Sequence, residues 1–190
     1  DVERSRGLGD VYKRQGKVVL VTGSSRGIGA EIARGFAREG ATVVVNYLSN
    51  AEAAEAVVAQ CQAAGGDAWA VQADVGSPEA VRAMVDGIVQ DAGRLDVVVN
   101  NALRHYAFDP RQRTAFDAIG WQDYQSQFDG AVGAAFNVCR AALPHFKQRA
   151  QGAIVNIASN LVEHPVVPYH DYTTATVSYT HLRAHETSLH

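Results

Sequence analysis

Five short runs of β-branched residues, separated by longer alanine-rich stretches, dictate how this chain can fold. They read KVVLVTG at 17–23, TVVVNY at 42–47, AWAVQAD at 68–74, LDVVVNN at 95–101 and AIVNIAS at 153–159. Most are nearly continuous in apolar residues, the pattern of strands covered on both faces rather than the in-out alternation of a half-exposed sheet. The stretches between them carry helical spacing at about 27–39, 50–64, 77–92 and 120–148, with GG at 65–66 as a stop signal and SPE at 77–79 as a start. Strands that alternate with helices build parallel βαβ units, and right-handed crossovers place the helices on both faces. The expected fold is therefore an α/β doubly wound parallel sheet, with its crevice outside the carboxyl ends of the strands.

The polar residues gather at those strand ends. They are TGSSRGIG at 22–29, QADVG at 72–76, NNALRH at 100–105 and ASN at 158–160. In the first of these, glycines at 23, 27 and 29 allow a tight turn and close backbone approach, so that main-chain N–H groups at a helix start can face a diphosphate. A dinucleotide is the expected ligand, and a plain βα turn without ligand is the alternative reading of the spacing. The second strand ends in NYLSN, without the carboxylate that would meet a ribose 2′-hydroxyl. Asn46 leaves that wall uncharged and Arg26 supplies a fixed cation, which favours the 2′-phosphate of NADP(H), with NAD(H) possible and a solvated loop charge as the other reading of Arg26.

The totals exclude several classes. A formal net charge of −3 without a basic run gives no surface for nucleic acid. No run of about 18 apolar residues is present, so no membrane partner is expected. Cys61 and Cys139 lie far apart in apolar segments and suit free thiols of a reducing, cytoplasmic compartment. His181 and His185 are four apart, but Glu186 follows the pair and no third ligand is evident, so no metal site is expected. His164 and His170 read as solvated loop residues, and Trp69 and Trp121 as packing anchors.

The glycine spacing, NNA at 100–102, and Ser159 followed thirteen positions later by Tyr172 resemble the short-chain dehydrogenases and reductases over about residues 16–175. VVVNY, ADVGSPE and VPYHDYTTA are most similar to the bacterial 3-oxoacyl-acyl-carrier-protein reductase branch. The resemblance implies a Rossmann-type sheet, here truncated after its fifth strand, a nicotinamide coenzyme, and hydride exchange with a small or carrier-bound carbonyl. It assigns Gly23, Ser25, Arg26, Gly27, Ile28 and Gly29 to the diphosphate and ribose loop, Asp74 and Val75 to adenine, and Asn100 and Ala102 to the cofactor wall. Ser159 would steady the substrate oxygen, and Tyr172 would be the general acid, also lying against the coenzyme.

Three positions depart from the family pattern. The lysine expected four residues after the tyrosine is Thr176, the glycine after NNA is Leu103, and the relay asparagine of the long helix is Ala131, in a segment with a few extra residues after Trp121. Gln127 and Asp129 are candidate substitutes for the relay. A phenol, with an ordinary pKa of about 10, needs a neighbouring cation to donate and recover its proton near neutrality. The chain as given is therefore expected to be inactive, and, without the later elements the family would pack over the sheet, to leave apolar surface exposed and be poorly stable. Residues 1–15 and 176–190 are expected to be non-native leader and tail around a 16–175 coenzyme-binding domain. The alternative is a non-catalytic NADP(H)-binding sensor or partner subunit. A homo-oligomer, paired through the 120–148 helix and the helix starting near Tyr172, is expected of a full-length parent rather than of this chain.

Overall fold

Each of the three central strands fills both faces of the sheet with valine or leucine, which is why they form its middle. In the computed structural model, which describes residues 16–103, 106, 111, 114–159, 161, 169–178 and 182, β1 (Val18–Val21), β2 (Thr42–Tyr47), β3 (Asp67–Gln72), β4 (Val97–Asn100) and β5 (Ala153–Asn156) form one sheet in the order β3-β2-β1-β4-β5. All four pairings are parallel, with Val19 opposite both Val43 and Val97. This is the doubly wound sheet expected from the sequence, and its order reverses between β1 and β4, where such folds open a crevice.

The intervening helices are α1 (Gly27–Arg38), α2 (Ala51–Ala63), α3 (Pro78–Ala92), α4 (Trp121–Phe128), α5 (Ala134–Arg149) and α6 (His170–Ser178). Alternate strand residues point to opposite faces. Val19, Val21, Val43 and Val45 meet Ala30, Ala33 and Ala37 of α1 and Val57 and Cys61 of α2, whereas Leu20, Val44 and Val98 meet Val81, Met84, Val85 and Ile88 of α3 and Val138, Ala142 and Phe146 of α5. The alanine stripe lets α1 lie close on the sheet. Burying a Leu, Ile or Val side chain contributes about 1.5–3 kcal/mol, so these two clusters hold most of the fold. The outer strands are less covered, and Val155 of β5 is 43% exposed.

One buried carboxylate ties the strand starts at the other end of the sheet. Asp96, 3% exposed, accepts the Val18 N–H at 2.9 Å, Arg94 Nε at 2.7 Å and Lys17 Nζ at 3.4 Å, with the Arg149 guanidinium 3.8 Å away. Burial alone would raise its pKa; the bonds from Arg94 and Val18 and the charges of Arg94 and Lys17 outweigh that and hold the carboxyl below its ordinary value.

Two expectations need correction. The helix expected over 120–148 is not continuous in form: α4 and α5 are joined by a π turn at Asp129–Gly133. The sequence there is DGAVG, and its glycines loosen an α-helix by about 1 kcal/mol each relative to alanine. Trp121 is no packing anchor, since it opens α4, is 73% exposed and stacks beside Tyr124, ring centroids 6.0 Å apart. Trp69 does pack partly buried against the second core cluster. Among the described residues no helix is long and apolar enough to cross a membrane.

Candidate functional site

The first β-strand turns into α1 through a loop with little room for side chains. Gly23 has φ +60°, and a Cβ there would stand 2.9 Å from the Ala102 Cα. A Cβ on Gly29 would meet the Asn101 side chain at 2.4 Å and the Gly23 carbonyl oxygen at 2.8 Å. Only glycine lets loop, helix and β4 end approach this closely.

Hydrogen bonds then fix the loop from two sides. Asn46, at the end of β2 and 2% exposed, accepts the Gly23 N–H on Oδ1 at 3.1 Å and the Ser24 N–H on its carbonyl at 2.9 Å; its Nδ2 donates to the Ala73 carbonyl at 3.1 Å. From the other side, Thr22 Oγ1 accepts the N–H groups of Asn101 and Ala102, each at 3.0 Å, and donates to the Val99 carbonyl at 3.2 Å. The Asn101 carboxamide donates to the carbonyls of Thr22 and Gly23 at 2.9 and 3.2 Å. Side chains at the ends of β1, β2 and β4 thus hold the backbone of the loop in place.

Above this loop lies an open cleft of about 1230 Å3. Gly23, Ser25, Arg26, Gly27, Ile28 and Gly29 line it from the loop, Asn46 from β2, Asp74 and Val75 from the β3 end, and Ala102 from the β4 end. A smaller hollow, about 410 Å3, lies against Val18, Thr42 and Asp67 at the strand starts and holds none of these residues.

The cleft wall also includes residues that sequence reasoning did not name: Tyr47 ends β2, Ser49 and Asn50 follow it, and Gly130, Gly133 and Asn137 come from the π turn and α5. Asp129, the candidate relay substitute, lines it from the same turn. Asn137 reaches back to the carbonyls of Val75 and Gly76 at 3.1 and 3.3 Å, pinning α5 to the loop after β3. Asn101 is the chief omission, and the doubled asparagine straight after a strand was its signal.

The cleft suits an anion at the start of α1. Asn50 caps α2 and Ser77 caps α3, each side chain accepting a first-turn N–H, but α1 has no side-chain cap and no acidic residue in its first turn. Its leading N–H groups and dipole are therefore left to a ligand. Arg26 stands exposed at this helix start.

Asn100 is not part of that wall. Only 2% exposed, it donates Nδ2 to Asn156 Oδ1 at 2.8 Å and to Cys139 Sγ at 3.3 Å, joining β4, β5 and α5 under the cleft. Cys139 is a free thiol that burial pushes up in pKa despite the Asn100 contact, and Cys61, also free, is raised by burial too. Alternation explains the correction: of two consecutive asparagines, one faces the layer beneath and one the loop.

Ser159 and Tyr172 are not cleft-lining residues. Ser159, half-buried beyond β5, accepts the Leu161 N–H at 3.3 Å. Tyr172, half-buried on α6, lies with its ring centroid 5.0 Å from that of Tyr106, tilted by 36°. Thr176 is 2% exposed and donates its hydroxyl to the Tyr172 carbonyl at 3.0 Å, so it adds no charge beside the phenol. The helix runs to Ser178, across the 175/176 boundary expected from the sequence. Gln127 is buried, Asp129 is exposed in the cleft, and Ala131 packs with Ala135 and Ala175. Leu103 is 40% exposed and lines the cleft, and His170 packs edge-on to Phe116 at 5.5 Å. His164, His181 and His185 lie outside the described residues.

Comparison with known proteins agrees with this architecture. A family model described as short chain dehydrogenase matches residues 17–188. A 3-oxoacyl-[acyl-carrier-protein] reductase of Staphylococcus aureus is 38% identical over 143 residues, 75% of this chain and 56% of that protein. The chain thus spans about half the length of the curated relatives it matches. Among solved structures, a 7α-hydroxysteroid dehydrogenase complexed with NADH and 7-oxoglycochenodeoxycholic acid superposes with a TM-score of 0.78 at 31% identity, covering 88% of this chain and 63% of that one. A metagenomic short-chain oxidoreductase in complex with NADP gives 0.77 at 32%, covering 88% and 73%.

Proposed function

The chain belongs to the short-chain dehydrogenase family, and on that premise we propose that the protein it represents binds NADP(H) in the cleft above the glycine loop and reduces a 3-oxoacyl thioester or a related small carbonyl. The observation that carries this reading is the uncapped start of α1, facing a cleft whose wall combines Arg26 with a β2 end free of carboxylates. The coenzyme, when bound, supplies the hydride. The N–H groups of the loop and of α1 would hold its diphosphate, Asp74 and Val75 would meet its adenine, and Arg26 would meet a ribose phosphate through charge-assisted bonds. Similarity to a NADP-bound relative supports the choice of NADP(H), while the NADH-bound relative keeps NAD(H) as the competing coenzyme. Similarity to the S. aureus reductase supports the thioester, and the steroid dehydrogenase is the relative that favours a different carbonyl.

In the proposed reaction Tyr172 protonates the alkoxide that forms as hydride arrives, and Ser159 hydrogen-bonds the same oxygen. Burial of Thr176, with its hydroxyl returned to its own helix, favours a second reading in which this chain binds coenzyme without turnover. We further propose a cytoplasmic location, from the two free cysteines, and no nucleic-acid or membrane partner. A homo-oligomer is proposed for a full-length protein only.

Fluorescence titration with both coenzymes tests the reading. NADPH is expected to bind at least tenfold tighter than NADH, and Arg26→Ala to remove that preference with little effect on NADH. Equal affinities for the wild type would remove the NADP(H) assignment, and no binding of either at millimolar concentration would remove the coenzyme site.

A further inference from the structure

Tyr106, in the chain that follows β4, makes a set of contacts that the proposed chemistry does not use. Its hydroxyl donates to Asp171 Oδ1 at 2.9 Å, across 65 residues of sequence. Its ring meets Tyr169 edge-on, centroids 5.7 Å apart at 86°, and lies against Tyr172 at 5.0 Å. These three partners lie in or just before the first turn of α6, so one side chain grips that end of the helix by its ring and its hydroxyl.

We propose that Tyr106 is a positioning residue that, through its hydrogen bond to Asp171, fixes the rotation of α6 and the orientation of the Tyr172 ring. This rests on the reading of Tyr172 as the proton donor.

Asp171 is 8% exposed, and a carboxylate so buried needs a donor. It lies in the first turn of α6, where the helix dipole favours negative charge, so its place on the helix is fixed independently of Tyr106. The Tyr106 bond then transmits that placement to the loop after β4, the same strand end whose Asn101 and Ala102 bind Thr22. Aromatic pairs avoid a face-to-face sandwich, and Tyr106 meets Tyr169, just before α6, edge-on and Tyr172, in its first turn, at a tilt. A turn of α6 about its axis would break both. Burial, then the Asp171 hydrogen bond and charge, push the Tyr106 phenol up from its ordinary pKa. Tyr106 accordingly keeps its proton across the neutral range and serves as a permanent donor, which leaves proton transfer to Tyr172.

The test uses the 190-residue chain with tyrosine labelled by 13C in the ring, the Tyr172 signal being assigned by its loss in Tyr172→Phe. Because the Tyr172 ring lies against that of Tyr106, its resonance carries a ring-current shift that changes if the rings move. Tyr106→Phe keeps the ring and removes the hydroxyl, so it is expected to move the Tyr172 resonance by more than its linewidth. Asp171→Leu is expected to move it similarly and is an independent loss of the same bond should Tyr106→Phe fail to fold. Asp171→Asn, whose carboxamide oxygen still accepts, is expected to keep the wild-type position. NADPH affinity is expected to stay within twofold in all three, since neither residue lines the cleft.

A Tyr172 signal unmoved by both Tyr106→Phe and Asp171→Leu, in chains that bind NADPH, overturns the positioning role alone. Equal displacement by Asp171→Asn and Asp171→Leu overturns it as well, by making the carboxylate charge and not the bond the cause. Failure of the wild type to bind either coenzyme would instead overturn the reading of Tyr172 on which the role depends, whatever the resonances do.

Discussion

Gly23 and Ala102 approach too closely to admit a side chain: the Cα of Ala102 lies 2.9 Å from where a Gly23 Cβ would stand. The contact sets the glycine loop against the end of β4, and so fixes the floor on which a diphosphate would lie. Gly23→Ala adds both the clash and a φ of +60° that alanine disfavours. We expect a stability loss of about 1–3 kcal/mol in urea titration, and a loss of NADPH affinity of tenfold or more.

Asn46 tests the same floor from the other side. Asn46→Leu keeps the volume but leaves the Gly23 N–H and the Ala73 carbonyl without their side-chain partner. Each buried group left unsatisfied costs about 1–3 kcal/mol, so urea unfolding should register a loss of that order, and coenzyme affinity should fall with it. An unchanged midpoint would show that the carboxamide does not hold the loop.

Asp96 makes stability depend on acid. Its folded pKa lies below the unfolded value of about 3.9, so its contribution is fully present above that value and is lost as pH falls through the folded pKa. The wild-type melting temperature should therefore drop below about pH 4, and Asp96→Asn should already be destabilised at pH 7 and lose less on acidification. The cost at pH 7 is expected to be about 1–3 kcal/mol, since two of its donors, Arg94 and Lys17, are charged. Parallel melting curves of the two proteins between pH 7 and 3 would contradict this.

Thr176→Lys asks whether the missing cation is what separates this chain from turnover. An ammonium one helical turn beyond Tyr172 favours the phenolate and so eases proton release. With NADPH and an acetoacetyl thioester we expect oxidation of the coenzyme to rise at least tenfold over the parent chain. Coenzyme binding without any rise would favour the non-catalytic reading.

Trp121 gives the opposite kind of prediction. Exposed to 73% and stacked on Tyr124 at the surface, it should be replaceable by serine with a change within about 0.5 kcal/mol.

Much of this was legible in the chain itself. Apolar runs such as VVLV and TVVVNY identify buried parallel strands because a strand covered on both sides has no polar alternation to hide behind. Glycines 23 and 29 marked the loop because no other residue fits there. Asn100 and Asn101 were not separable, since a one-residue change of phase at a strand end decides which faces the loop and which the core. The π turn was hidden for a related reason: DGAVG is short and compatible with an α-helix, and only the packing of Ala131 and Ala135 against Ala175 shows where the phase slips. Trp121 misled because size suggests burial, whereas a residue that opens a helix has few neighbours to cover it.

The slack at Asp129–Gly133 has its own consequence. A π turn accommodates one residue more than an α turn over a similar stretch of helix, so Gln127 and Asn137 can keep their separate surroundings even if the spacing between them changes by one. Lengthening or shortening the chain at this spot need not dislodge the polar grip on Val75 and Gly76; the coil would tighten or relax instead. Among kindred proteins this is where gaps in aligned helices should collect, leaving the cleft undisturbed.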